Sequence, residues 1–219
     1  MKKTLLFTLA LIASGCAEPI PRNLDDLSMQ GPQYLNPETL EPYSGPAYRM
    51  SADDSTQIVL RVNLRDGRFH GDFEDFEPDN VEDSLGLYQT GTYRDGQREG
   101  PYEYFYPSGV LRGRGTYEND LEEGLSESWF ENGEPRNRFT YVAGKRDGPI
   151  EEYHQNGQSF AKGTFVAGEL DGPYERYYEN GQSQEKGVWN MGEPCGDWMI
   201  RGQTRYYDRC PSDLEYEEG

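Results

Sequence analysis

From residue 91 to residue 196, apolar and polar positions recur every 24 residues. Gly91, Gly115, Gly163 and Gly187 share one column, with Phe139 in the slot left open between them. Gly100, Gly124, Gly148, Gly172 and Gly196 form a second, Gly109, Gly133, Gly157 and Gly181 a third, and Tyr93, Tyr117, Tyr141, Phe165 and Trp189 an aromatic fourth. Columns held in register over a hundred residues mark a true internal repeat, and worn copies at both ends are what such an array needs as caps.

Within each unit the pattern predicts strands. Aromatic runs such as Tyr102 to Tyr106 and Tyr174 to Tyr178 are strand-length and end at Ser108-Gly109, Asn132-Gly133, Asn156-Gly157 or Asn180-Gly181. Asn-Gly between strands predicts a two-residue type I′ hairpin turn, because both residues tolerate positive φ. The other connection, Asp95 to Gly100 and its copies, reads as a longer glycine-bounded turn. A two-residue turn then sets Glu103 opposite Arg114, Glu127 opposite Arg138, Glu151 opposite Lys162 and Glu175 opposite Lys186. Four acidic residues facing four basic ones support that register independently. Alternation puts Tyr102, Tyr106, Tyr117, Phe130, Ile150, Tyr141, Tyr174, Tyr178 and Phe165 on one face. Phe105, Trp129, Tyr153 and Tyr177 stand on the other among the charges, as a candidate partner-binding stripe. Stacking between neighbouring repeats is the competing reason for that stripe, and a solvated stabilising face the competing reason for the charge columns.

The expected fold is therefore all-β: an elongated, twisted antiparallel meander of β-hairpin repeats forming a single-layer sheet. Its divisions are a signal peptide over 1–15, a tether over 16–42, degenerate repeats with an inserted acidic loop over 43–90, four full repeats and the start of a fifth over 91–196, and a cap with an acidic tail over 197–219.

Composition tempers this picture. Only 34% of the 219 residues are hydrophobic and the formal charge is −19, a surface that repels phosphate backbones and argues against nucleic acid. Lys2 and Lys3, the apolar run Thr4 to Ile12 and the small residues Ala13, Ser14 and Gly15 read as a secretory signal, too short to span a membrane. Ala13-Ser14-Gly15-Cys16 resembles a bacterial lipobox, which implies diacylation of Cys16, although Ala13 stands where Leu is usual. Cleavage nearby without lipid, after Ala17 for instance, is the alternative. Ala17 after the cysteine implies an outer-membrane destination, with secreted or periplasmic release as the other outcome. With Cys16 lipidated, Cys195 and Cys210 remain as a disulfide pair or as two thiols in an end cap. The stretch after Cys16, with Pro19, Pro21, Pro32 and Pro37, reads as a flexible tether.

Catalytic and cofactor signals are sparse. His70 and His154 are the only histidines. His154 occupies the aromatic column of Tyr106, Phe130 and Tyr178 and reads as a packing substitution, while His70 sits in a turn. The acidic run Asp72, Glu74, Asp75, Glu77, Asp79, Glu82 and Asp83 lacks calcium-loop spacing. No metal, cofactor, small-molecule substrate or enzymatic activity is expected.

The unit Gly-x-Tyr followed by Asp-Gly-x-x-x-Gly-Pro-Tyr-Glu-x-Tyr-Tyr-x-Asn-Gly resembles the bacterial variant of the MORN repeat, clearly over 88–196 and weakly over 43–87. The resemblance implies an elongated antiparallel sheet that contacts proteins or membranes without catalysis. Similar bacterial proteins carry an antitoxin label, which implies toxin binding. Expected functions are thus a binding scaffold for an envelope or other protein partner, an antitoxin or immunity protein, or a structural spacer.

Overall fold

The computed structural model describes residues 20–78 and 85–211, and most of them are strand. Eight-residue strands such as Leu111–Glu118, Pro135–Val142 and Ser159–Val166 alternate with six-residue strands such as Gly100–Phe105, Gly124–Trp129 and Gly148–Tyr153. Each pairs antiparallel with the strand before it and the strand after it. The ladder begins at Gly45–Met50 and Ile58–Arg65, runs through Gly71–Pro78 and Leu85–Arg94, and ends at Glu193–Ile200 and Gln203–Tyr206. The fold is the all-β meander of hairpins that the repeat predicts. One parallel pairing, Arg22–Asn23 against Ala47 and Tyr48, departs from it.

The four predicted charge pairs face each other as expected. The turn that was to set them there is different. Only the glycines of the Asn-Gly pairs have positive φ, and the loop holds three residues: the Phe130 N–H donates to Glu134 O at 2.8 Å and the Gly133 N–H to Phe130 O at 2.9 Å. Asn132, Asn156 and Asn180 contribute side chains instead, each Oδ1 accepting the backbone N–H two residues on at 3.0–3.1 Å. A three-residue loop shifts the pairing by one, and a bulge at once shifts it back. Phe105 faces Leu111 but Tyr104 faces Gly113, leaving Arg112 as the extra residue. The two offsets cancel before Glu103 is reached.

True two-residue turns lie at the opposite end, where a longer loop was expected. Asp95-Gly96, Asn119-Asp120, Ala143-Gly144, Ala167-Gly168 and Met191-Gly192 all have both residues at positive φ, and Arg94 pairs with Gln97 across the first of them. Alanine and methionine resist this conformation by about 1–2 kcal/mol. Hydrogen bonds from the preceding unit hold them there. The N–H groups of Asn119, Ala143, Ala167 and Met191 donate to the carboxylates of Glu99, Glu123, Asp147 and Asp171 at 2.8–3.1 Å, and those of Gly144, Gly168 and Gly192 donate to carbonyls at 2.8–2.9 Å. Successive turns are thereby chained together.

The centre of the core follows one row crossing the strands: Ala47, Val62, Phe73, Gly91, Tyr102, Gly115, Ser126, Phe139, Ile150, Gly163, Tyr174 and Gly187. Large residues lie over the glycines beside them. A Cβ at Gly91 would sit 2.8 Å from the Phe73 ring, and one at Gly115 2.6 Å from the Tyr102 hydroxyl. In the hairpin of Gly124–Trp129 and Pro135–Val142, the third unit when the hairpin starting at Gly71 is counted first, the sizes are exchanged across the ladder: Ser126 stands where the later units place Tyr or Ile, and Phe139 where they place Gly. Phe139 is 4% exposed and packs with Ile150 and Ala161.

The stretch read as a flexible tether over 16–42 is folded from residue 22 onward. Leu24, Leu27 and Leu35 are buried, the first two in one cluster with Ala47, Val62, Leu64 and Phe73. Ser28–Gln30 pairs with Gln33–Leu35. Counting prolines overlooked three leucines with an open sheet end to cover. At the other end Trp198, 3% exposed, donates its indole N–H to the carbonyls of Val188 and Cys195 at 3.1 Å.

Gly115→Ala should destabilise the protein by about 1–3 kcal/mol through the clash with Tyr102, read as a shift of the denaturant midpoint at constant m. Gly124→Ala lacks that neighbour and tests backbone strain alone.

Candidate functional site

The register sorts the exposed side chains into transverse rows. One row reads Arg61, Glu74, Thr90, Glu103, Arg114, Glu127, Arg138, Glu151, Lys162, Glu175 and Lys186. From Glu103 onward the charges alternate without a break, so interior members have an opposite charge on each side. Ion pairs join Arg61 to Glu74 at 3.0 Å, Arg114 to Glu127 at 2.7 Å, and Arg138 to both Glu127 and Glu151 at 3.7 Å. Arg114 thus bonds the acid of the next hairpin. Exposed pairs of this kind contribute about 0–1 kcal/mol each, so the row specifies register more than it stabilises.

Phe105, Trp129, Tyr153 and Tyr177 occur once per unit and are half-buried. The Arg114 guanidinium lies over Trp129 at 5.3 Å, the Lys162 ammonium over Tyr177 at 5.7 Å, and the Tyr177 hydroxyl donates to Glu175. Trp129 and Tyr177 are thereby knitted into the charged row.

On the opposite face, the row beside the core reads Asp75, Gln89, Tyr104, Gly113, Ser128, Asn137, Glu152, Ala161, Arg176 and Glu185. Here the repeats differ most. Arg176 pairs with Glu185 at 3.2 Å. Burial raises the Glu152 carboxyl above its ordinary pKa, with Arg146 and Arg136 pulling the other way. Burial also raises Asp75, helped by Glu77, and raises the Tyr102 phenol, which donates to Glu122 at 2.6 Å.

An open groove of about 340 Å³ lies on this face over the second and third units, between Tyr88 and Tyr141. Arg112, Arg136 and Arg146 line it, and no carboxylate among the described residues is within ion-pair distance of any of them. Each lies against aromatic rings: Arg112 over Tyr106 and Arg136 over Phe130 at 5.8 Å, Arg146 over Phe139 at 3.9 Å. Reading the repeat for what stays constant passed over these arginines. Their signal was divergence, since the column of Arg112 and Arg136 continues as Phe160 and Gln184.

His154 takes the structural part of its column. Its Nε2 meets Tyr177 O at 2.9 Å, as the Tyr106 hydroxyl meets Trp129 O at 2.9 Å. His70 lies between the short strand Arg68–Phe69 and Gly71–Pro78 rather than in a turn, its Nδ1 3.5 Å from the Asp95 carboxylate. Cys195 and Cys210 are joined as a disulfide. Cys16 lies outside the described residues, as do Asp79, Glu82 and Asp83 of the acidic run; Glu74 belongs to the charged row. Among the described residues no cluster of His, Cys, Asp and Glu could hold a metal ion, and no helix is long and apolar enough to cross a membrane.

The family model described as MORN repeat variant matches the chain at residues 98–119 and 170–190. Each segment covers one hairpin unit, so a repeat of this type is present at two positions of the array. No curated protein matches the chain.

Glu152→Gln should stabilise the protein at neutral pH. A carboxyl whose folded pKa is raised adds stability below its unfolded value and loses it as pH rises through the folded value. The midpoint difference between variant and parent should therefore be near zero below the ordinary carboxyl range and grow toward pH 7, measured by denaturation at a series of pH values.

Proposed function

We propose that this chain is a non-catalytic, exported repeat scaffold, anchored by lipid at Cys16, which binds a protein or envelope partner through its sheet. The observation that carries the reading is the uninterrupted sheet itself. It presents one alternating charged row with a ring in each unit, a regular surface rather than a single reactive pocket. Such a row suits recognition by complementary charge, which directs encounter and register more than it adds affinity. Export is supported by the disulfide of Cys195 and Cys210, which belongs to an oxidising compartment, and by the charged, apolar and small-residue order ahead of Cys16. Folding of the chain from Arg22 onward leaves a short link between the lipid and the sheet, holding the first hairpin near the membrane surface.

Cys16→Ala should abolish labelling by a fatty-acid analogue and move the protein from the membrane to the soluble fraction; unchanged fractionation would refute the anchor. Mild crosslinking in envelope extracts should yield one stoichiometric partner. That product should disappear when Trp129 and Tyr153 are replaced by serine, and its absence from the parent protein would count against the scaffold reading.

A further inference from the structure

The charged row and the core row follow from the repeat, but the groove over the second and third units does not. It exists because that part of the array breaks the pattern. Ser126 replaces a bulky core residue, Gly113, Ser128 and Asn137 leave a low polar floor, and two bulge positions carry arginine. In a chain of net charge −19, three guanidinium groups at one groove without ion-pairing carboxylates form an isolated cationic site. Glu122, Glu127 and Glu152 are the nearby carboxylates and only partly offset them: Glu152 acts on Arg136 and Arg146 through space, Glu127 is paired with Arg114 and Arg138, and Glu122 is taken up by the Tyr102 hydroxyl.

We propose that this groove binds an anionic saccharide, a short glycan carrying carboxylate groups. Its chemistry matches such a ligand part by part. Guanidinium forks bind carboxylates through paired N–H donors, and stacking on Tyr106, Phe130 and Phe139 holds them oriented beforehand. The Tyr88 and Tyr104 rings, 5.8 Å apart and edge-on, and the Tyr141 ring offer flat apolar surface for the C–H faces of sugar rings. The Tyr141 hydroxyl accepts from Arg146 Nε at 3.3 Å, coupling the two kinds of contact. On the floor, the Ser128 hydroxyl is buried and has no hydrogen-bond partner, a cost that a ligand hydroxyl would remove. The volume lies in the range of small-ligand sites, about 300–1,000 Å³.

An acidic peptide fits less well. Peptides bound by sheets use the backbone groups of a free edge, whereas this groove lies on a sheet face whose backbone groups are engaged with neighbouring strands. Nor does it hold an apolar pocket for a side-chain anchor. The site is independent of the Cys16 anchor, and Arg114 and Glu127 of the charged row contribute to its lining.

The test is calorimetric titration of the full chain with trigalacturonic acid and sialyllactose, beside neutral maltotriose and a hexaglutamate peptide. At least one carboxylated saccharide should bind, more weakly as salt rises, with maltotriose and the peptide each weaker by about tenfold or more. Arg136→Gln with Arg146→Gln should weaken that binding about tenfold or more, while Arg205→Gln in the last strand leaves it within about twofold. Thermal melts check folding, and Arg112→Gln serves where the double variant fails to fold. Absence of binding by both carboxylated saccharides at about 10 mM overturns the proposal, as does tighter binding of hexaglutamate or indifference to the arginine substitutions.

Discussion

A sheet one layer thick has no second layer to shield its apolar face, so each large side chain must lie flat across the neighbouring strand. Adjacent strands are about 4.8 Å apart, too close for two rings side by side. The core row solves this by placing glycine between its bulky members: Phe73, Gly91, Tyr102, Gly115, and later Ile150, Gly163, Tyr174, Gly187. The invariant feature is one large and one small residue facing each other in each hairpin; exchanging them at Ser126 and Phe139 sets two small residues, Gly115 and Ser126, side by side and packs Phe139 directly against Ile150. Tyrosine suits these places because its ring covers the strand while its hydroxyl reaches a partner, as Tyr102 does with Glu122.

Other features follow from that arrangement. Stacked turns hold the strands in the order the row needs, and the carboxylates of Glu99, Glu123, Asp147 and Asp171 bind each turn to the next unit. That link lets alanine and methionine occupy a conformation they otherwise resist. The charged row contributes little energy, but a one-residue slip would send its side chains to the apolar face, so it rejects wrong registers. Both ends need covers. Leu24 and Leu27 close one, and Trp198 with the Cys195–Cys210 bridge closes the other, as repeat arrays require.

Much of the fold was legible in the sequence, because the period, the strand lengths and the charge pairing each pointed to the same hairpins. The turns were read at the wrong ends. Asn-Gly fits both a two-residue turn and a three-residue loop closed by an Asx bond, and the bulge at Arg112 hid the difference by restoring the register. Ala143, Ala167 and Met191 gave no sign of positive φ, since the bonds that hold them there come from another unit. The cap over 22–42 was missed because three leucines spread among prolines carry no periodicity. The groove is illegible for a related reason: its arginines interrupt the periodicity instead of forming part of it. Periodicity marks what the scaffold needs, and the departures from it mark where one unit can do something its neighbours do not.

The central claim is that stability resides in the pairing of one large with one small residue in each hairpin, not in the residue at any one position. A double-mutant cycle on Ser126 and Phe139 tests it most directly, because Ser126→Tyr with Phe139→Gly would restore the arrangement of the other units. Each single substitution should destabilise, one by overpacking and the other by opening a cavity, and the double should recover most of the loss, with a coupling energy of about 2–3 kcal/mol. Additive losses in the double variant would contradict the account.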